Sequence, residues 1–292
     1  MSCKTNHYAF LVTLLFVALF ASCAAPASSP PTPTPVVARP TLAAPPTSSQ
    51  PTKPSTTSET WSATSPDGEW LAEGVRESQF EPCEYRTRLT VTSADGAVSW
   101  KVWNGVQNCG LGSTDPVPFH WSQDGSYLYF TNVPRPDGCV QFVNGSDLHR
   151  VELATGQVTH LMPEAGLWLA LSPDETRLAY IAYGGRGLVI RDLASGSERE
   201  IKLPEGAQAG HIVWSPDQRA LLFTLDRGGC SGAYSIERIE IQTLVQTILI
   251  GSDERQFITS SWPEPERATL IDKDGTAWWV DVITGQLTLR SN

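Results

Sequence analysis

Four cysteines, Cys83, Cys109, Cys139 and Cys230, follow Cys23 in this chain, and none has the Cys-x-x-Cys spacing of a zinc or thiol-exchange site. An even count in an exported domain points to two disulfides. Three pairings are open; closeness in sequence favours Cys83 with Cys109, which leaves Cys139 with Cys230. Gly228-Gly229-Cys230-Ser231-Gly232 has the letters of a nucleophile elbow. That elbow needs a strand-to-helix turn, and this segment separates two strand patterns. Asp272-Lys273-Asp274-Gly275 echoes a calcium loop but lacks the third acidic ligand and the closing glutamate, so it reads as a hairpin turn. His120 and His211 precede strand patterns and could face a common axis, although a satisfied structural role is the commoner fate of such a histidine. No metal set, no cofactor and no catalytic residue is expected from these motifs.

The elements that carry these residues are organised by a repeat. Ser65-Pro66-Asp67-Gly68, Trp121-Ser122-Gln123-Asp124-Gly125, Ser172-Pro173-Asp174 and Trp214-Ser215-Pro216-Asp217 each precede a short apolar run, and a worn fifth copy aligns Trp262 with Trp214. A repeat of this length belongs to propellers, solenoids or arrays. Each unit carries four strand patterns rich in β-branched and aromatic residues; in the third they are Leu167 to Leu171, Arg177 to Ala182, Leu188 to Asp192 and Arg199 to Leu203. Tight turns with Pro, Asp and Gly separate them. Five units, beginning near Trp61, Phe119, Leu167, His211 and Phe257, predict an all-β five-bladed β-propeller of four-stranded antiparallel blades. Trp121, Trp214 and Trp262 are expected to pack between blades, whereas Trp168 has no strict repeat partner and could line the channel.

The N-terminal segment is of another kind. Lys4, the apolar run Phe10 to Phe20 and the small residues before Cys23 make residues 1–23 a signal peptide rather than a membrane span. Phe20-Ala21-Ser22-Cys23 resembles a bacterial lipobox, and the resemblance implies acylation of Cys23. Acyl chains anchor a protein at a membrane at about 0.8 kcal/mol per buried methylene. Residues 24–60 hold ten prolines among Ser, Thr and Ala, too little apolar bulk to repay folding entropy, and are expected to be a disordered spacer. Residues 61–292 form the propeller. The formal net charge of −10 and the lack of Lys/Arg clusters argue against a nucleic-acid partner.

The Ser-Pro-Asp-Gly phrase before an apolar strand resembles the WD40-like repeat of TolB-type propellers and of propellers in prolyl-peptidase-like proteins. The resemblance covers about residues 61–292 and implies a fold, not an activity. The additional α/β domains of those families have no counterpart in the residues that carry the repeat.

Alternating strands sort the loops by face. The first-to-second and third-to-fourth turns are short and alike. The second-to-third loops and the blade connections at the other end are long and unlike: about Arg76 to Tyr85, Asn104 to Pro118, Asn132 to Ser146 and Asp226 to Ser235. All four cysteines fall there, with Phe80, Tyr85, Arg135, Phe142, Arg227 and Tyr234. Irregular loops on a rigid scaffold carry binding, and aromatics and arginines serve as hot spots. The same residues would equally serve to pack loops together.

The expected function is therefore that of a membrane-anchored extracytoplasmic propeller, a monomer in the cell envelope, binding a protein or cell-envelope ligand through its long-loop face without catalysis. Phe80, Tyr85, Arg135, Phe142, Arg227, Tyr234, Trp168 and His211 are the candidate ligand-binding residues. The alternative is a carbohydrate-binding or glycosidase-like propeller, for which Glu59, Asp115, Glu164 and Glu205 near blade entrances are the available carboxylates.

Overall fold

A computed structural model describes residues 56–80, 83–108, 113–134, 142–162, 168–182, 187–228, 232 and 234–291, all within the compact unit Thr52–Asn292. The expected signal peptide, Cys23, Arg135, Cys109, Cys139, Cys230 and Glu164 lie outside the described residues. Twenty strands form five four-stranded sheets, each running in sequence order with antiparallel neighbours. Blade 1 holds β1 (Thr56–Thr64), β2 (Trp70–Phe80), β3 (Cys83–Ser93) and β4 (Ser99–Asn108). Blade 2 holds β5 (Thr114–Trp121), β6 (Tyr127–Pro134), β7 (Ser146–Glu152) and β8 (Val158–Met162). Blade 3 holds β9 (Leu169–Leu171), β10 (Arg177–Ile181), β11 (Gly187–Asp192) and β12 (Glu198–Lys202). Blade 4 holds β13 (Gln208–Trp214), β14 (Ala220–Asp226), β15 (Tyr234–Glu240) and β16 (Gln246–Ile250). Blade 5 holds β17 (Ile258–Glu264), β18 (Arg267–Ile271), β19 (Ala277–Asp281) and β20 (Leu287–Leu289). This is the five-bladed, all-β propeller that the repeat predicts.

The repeated phrase works as a hydrogen-bond device. In each of four copies the serine hydroxyl donates to the aspartate two residues on: Ser65 to Asp67 at 2.5 Å, and Ser122 to Asp124, Ser172 to Asp174 and Ser215 to Asp217 at 2.7 Å. The same serine oxygen accepts the backbone N–H five residues on, at 2.8–2.9 Å, which starts the next strand. The aspartate oxygen then accepts the N–H of the residue two beyond it, satisfying backbone that the ladder leaves over. The serine hydroxyl and this N–H together hold the Asp67 and Asp217 carboxyls below the usual carboxylate range. The residue after the aspartate sits at positive φ in all four copies. Gly68 and Gly125 adopt that geometry freely, while Glu175 (φ 59°) and Gln218 (φ 62°) reach it against their Cβ atoms.

Four apolar cores join consecutive blades. Ala72, Leu89 and Val91 of blade 1 meet Leu128, Phe130 and Val151 of blade 2. Tyr129 and Leu148 of blade 2 meet Leu169, Leu178 and Tyr180 of blade 3. Blade 3 joins blade 4 through Ala179, Leu188, Trp214 and Phe223, and blade 4 joins blade 5 through Leu222, Ile236, Phe257 and Leu270. Tryptophans reinforce these seams with indole N–H bonds to the neighbouring backbone: Trp61 to Pro116 O (2.9 Å), Trp100 to Leu153 O (2.9 Å) and Trp214 to Ala170 O (2.8 Å). Among the described residues no apolar core joins blade 5 to blade 1. Blade 1 turns Glu73, Arg88 and Lys101 to solvent, while blade 5 places Arg267 and Arg290 against Trp279.

Two expectations about boundaries change. Strand β1 begins at Thr56, inside the segment 24–60 read as spacer; its Thr-Thr-Ser-Glu-Thr run pairs residue for residue with β2, from Thr56 opposite Gln79 onward. The expected loop Arg76 to Tyr85 is instead mostly ladder, since β2 runs to Phe80 and β3 starts at Cys83, with Phe80 and Cys83 in register. The polar residues there, which read as irregular, are strand residues, and Ser78 among them is buried.

Candidate functional site

The first strands of blades 2 to 5 enclose a cavity of about 500 Å³, lined among others by His120, Asn144, Trp168, His211 and Thr259. At its long-loop end, a bulge between Gly210 and Val213 breaks the β13–β14 register and puts His211 at φ 51°. The bulge turns the His211 carbonyl toward blade 5, where the Thr259 hydroxyl donates to it, and the Thr259 N–H donates to Thr224 Oγ1 at 3.1 Å. Bulges commonly re-aim a side chain beside functional surfaces. Here the imidazole packs on the Trp168 indole, with centroids 4.2 Å apart, and meets the Phe142 ring edge-on at 5.4 Å. Phe142 in turn touches Tyr234 at 5.3 Å.

Each member is positioned by a specific local cause. Asn144 donates to Leu169 O at 2.7 Å and accepts from Leu169 N–H at 2.8 Å, which ties the segment after Phe142 to the first strand of blade 3. Gly210 leaves the space that Phe142 fills; a Cβ there would stand 2.2 Å from Phe142 Cβ. Phe142 is only 3% exposed, so it supports the cluster from beneath. Trp168, His211 and Tyr234 are partly exposed and form the accessible surface. Burial lowers His211 to about 4, so near neutral pH its ring is uncharged. Burial, and then the Asp226 carboxylate, raise Tyr234, which keeps it a neutral phenol.

The structure thus brings Phe142, Trp168, His211 and Tyr234 into one aromatic cluster, although they come from a second-to-third loop, a blade connection, a first strand and a third strand. It does not bring the other candidates there. Tyr85 lies in β3 of blade 1, with Arg76 Cζ 5.9 Å from its ring centroid. Arg227 bridges to Glu237, which is fully buried and also accepts from Ser235 Oγ at 3.0 Å and from Gln246. Phe80 ends β2, and its side chain lies outside the described residues, as does Arg135. His120 lies nearer the short-turn end, with Nε2 3.0 Å from Glu175. Cys83 is disulfide-bonded. Of the carboxylates weighed for glycosidase chemistry, Glu59 and Asp115 both pair with Arg76, and Glu205 is exposed in the β12–β13 connection. Asp272 forms the β18–β19 turn, accepting from Asp274 N–H (3.0 Å), Thr276 N–H (2.8 Å) and Trp278 Nε1 (2.9 Å), as a hairpin turn would.

The buried Glu237, the Arg76 pairing and the His211 bulge escape sequence reasoning. The partners of Glu237 lie on its own strand, on the next strand and in the loop before it, those of Arg76 are 17 and 39 residues away, and the His211 bulge depends on a register shift, so no local spacing signals them.

No protein-family model matches this chain, and no curated protein matches it. Solved structures do. A prolyl endopeptidase aligns over 81% of this chain and 36% of its own, at 15% identity and TM-score 0.50, so this chain spans about a third of that enzyme's length. A protein described as a TolB from Agrobacterium tumefaciens aligns over 78% of both chains at 17% identity and TM-score 0.46. The β-propeller domain of the trilobed protease from Pyrococcus furiosus aligns over 76% of this chain and 68% of its own, at 12% identity and TM-score 0.49. These likenesses are likenesses of fold.

Proposed function

We propose that this chain is a lipid-anchored extracytoplasmic propeller that binds a protein or cell-envelope ligand at the long-loop end of its channel, without catalysing a reaction. The observation that carries the reading is the partly exposed Trp168–His211 pair, held rigidly at the cavity mouth by the Asn144 clamp and the β13 bulge. Rigid aromatics bind at low entropic cost, because little side-chain freedom remains to be lost. The cavity lining supports binding over glycoside hydrolysis. That chemistry needs two carboxyl groups roughly 5–9.5 Å apart across the bond to be broken. No Asp or Glu is among the described residues lining the cavity. The lipobox at Cys23 and the proline-rich spacer support the anchor and the envelope location.

Crosslinking on intact cells, followed by identification of captured material, tests the proposal. Wild type is expected to capture a specific partner, and Trp168→Ala to reduce that capture at least tenfold while the melting temperature stays within a few degrees. Equal capture by wild type and Trp168→Ala would overturn the site.

The disulfide arrangement belongs to the same proposal, because bracing the long-loop face preorganises it. The β3–β4 register places Glu84 opposite Asn108, the immediate chain neighbours of Cys83 and Cys109, and so supports that pairing. Non-reducing peptide mapping is expected to recover a Cys83–Cys109 peptide. Recovery of Cys83 joined to Cys139 or Cys230 would refute the pairing.

A further inference from the structure

A second cluster lies on the outer strands of blade 2, separate from the channel. We propose that Asp147, His149 and His160 form a binding site for a divalent transition-metal ion, with Zn²⁺ the ion the donor set fits best. One ring nitrogen from each histidine and a carboxylate oxygen of Asp147 lie within 4.8 Å of one another. Asp147 and His149 sit two apart on β7, where the β6–β7 register shifts between the partners of Phe130 and Asn132. His160 on β8 is the direct cross-strand partner of His149, because the β7–β8 register shifts between Leu148 and His149. Asp147 itself adopts φ 53° at this point. Bulged, strained strand positions of this kind are enriched where side chains are aimed at a site.

The packing fixes the central ligand. The His149 ring is stacked between Phe130, at 4.9 Å and 11°, and His160, at 4.4 Å and 9°, with Trp103 edge-on at 5.6 Å. His149 is 7% exposed, and its Nε2 is buried with no hydrogen-bond partner. An unpaired buried ring nitrogen is costly, and coordination is one way to satisfy it. His160 is exposed, and its ring would turn out of the stack on His149 to bring a nitrogen to a shared ion. Two imidazoles and a carboxylate make up a three-ligand zinc set that leaves a fourth position for water or an incoming group. Tetrahedral ligands at about 2.1 Å from zinc stand roughly 3.4 Å apart, so closure contracts the present spacing by side-chain rotation of the exposed partner. The ligands are spaced Asp-x-His-x₁₀-His across a hairpin, which matches no linear metal motif. The bound ion would cross-link the outer strand β8 to β7.

Titration of the full chain with Zn²⁺ under non-reducing conditions, followed by calorimetry and thermal melting, tests the site. Co²⁺ substitution provides an absorption readout of four-coordinate N/O ligation. Wild type is expected to bind one equivalent and to melt at a higher temperature with zinc. His160→Ala, which alters only an exposed side chain, and Asp147→Asn are expected to lose at least tenfold in affinity and most of the thermal shift. Absence of binding in wild type, or unchanged affinity in both variants, would overturn the site. Trp168→Ala should bind zinc as wild type does, which separates this outcome from that of the channel-mouth reading.

Discussion

Replacing Trp214 with alanine is expected to destabilise the propeller by about 3–5 kcal/mol, the range for removing a large buried aromatic side chain. Trp214 ends β13, is 6% exposed, and fills the core shared by blades 3 and 4. Its indole N–H donates to Ala170 O across the seam at 2.8 Å, and Arg177 Cζ stands 4.9 Å from the ring centroid. Truncation would open a cavity, remove the indole bond to the Ala170 carbonyl and take away the surface on which Arg177 rests. Equilibrium denaturation measures this directly, and a loss under 1 kcal/mol would contradict the seam's assigned role. The repeat also supplies an internal control. Trp262 occupies the equivalent place in blade 5, yet its buried Nε1 has no hydrogen-bond partner. Trp214→Phe should therefore cost at least about 1 kcal/mol more than Trp262→Phe, because only the former breaks a made hydrogen bond. Equal costs would mean that the indole–carbonyl staple contributes nothing net.

The second large effect is a loss of stability in mild acid that depends on His211. An unfolded chain titrates this imidazole near 6.5, whereas burial against Trp168 and Phe142 holds it at about 4 in the folded protein. The native state thus excludes a proton that the unfolded state takes up between those values. The His211 contribution is fully present above pH 6.5 and is lost as pH falls toward 4, by roughly 3–4 kcal/mol at most at 1.36 kcal/mol per pH unit. His149, lowered to about 4 by burial and then by the adjacent His160, adds a slope of the same sign. His211→Asn isolates the first share, since asparagine also tolerates the positive φ of this bulge. Urea denaturation from pH 7.5 to 4.5 should show a shallower decline for His211→Asn than for wild type. Identical slopes would mean that the His211 ring accepts a proton in the folded state as easily as in the unfolded one.

Much of the fold was legible in advance because its signals are local. Serine, aspartate and glycine at fixed offsets dictate a turn through their own hydrogen bonds. For the third blade the strand patterns fall within one or two residues of the observed strands. Leu244 shows where such local reading loses force. It sits at φ 59° in a third-to-fourth turn whose counterparts carry Gly156, Gly196 and Gly285, so the blade imposes the turn on a residue that disfavours it. The blade 1 hairpin failed in the other direction. Its polar alternation continues beyond the core, and only register with β1 and β4 makes it strand.

The candidate site was legible as residue types and not as a place. Sequence alone marked Phe142, Trp168, His211 and Tyr234 as candidates but gave equal standing to Phe80, Tyr85, Arg135 and Arg227, and offered Glu59 and Asp115 only for the glycosidase-like alternative. What separated them was the β13 bulge, the Asn144 clamp and the Arg76 ion pairs, each linking residues distant along the chain. By itself, then, the sequence determined the repeat, the blade count and the turn chemistry, because these follow from interactions within a few residues. Which side chains converge at the channel mouth and at the Asp147–His149–His160 cluster was decided only by tertiary structure, because a one-residue register shift changes which side chains stand opposite one another and leaves no mark on composition or spacing.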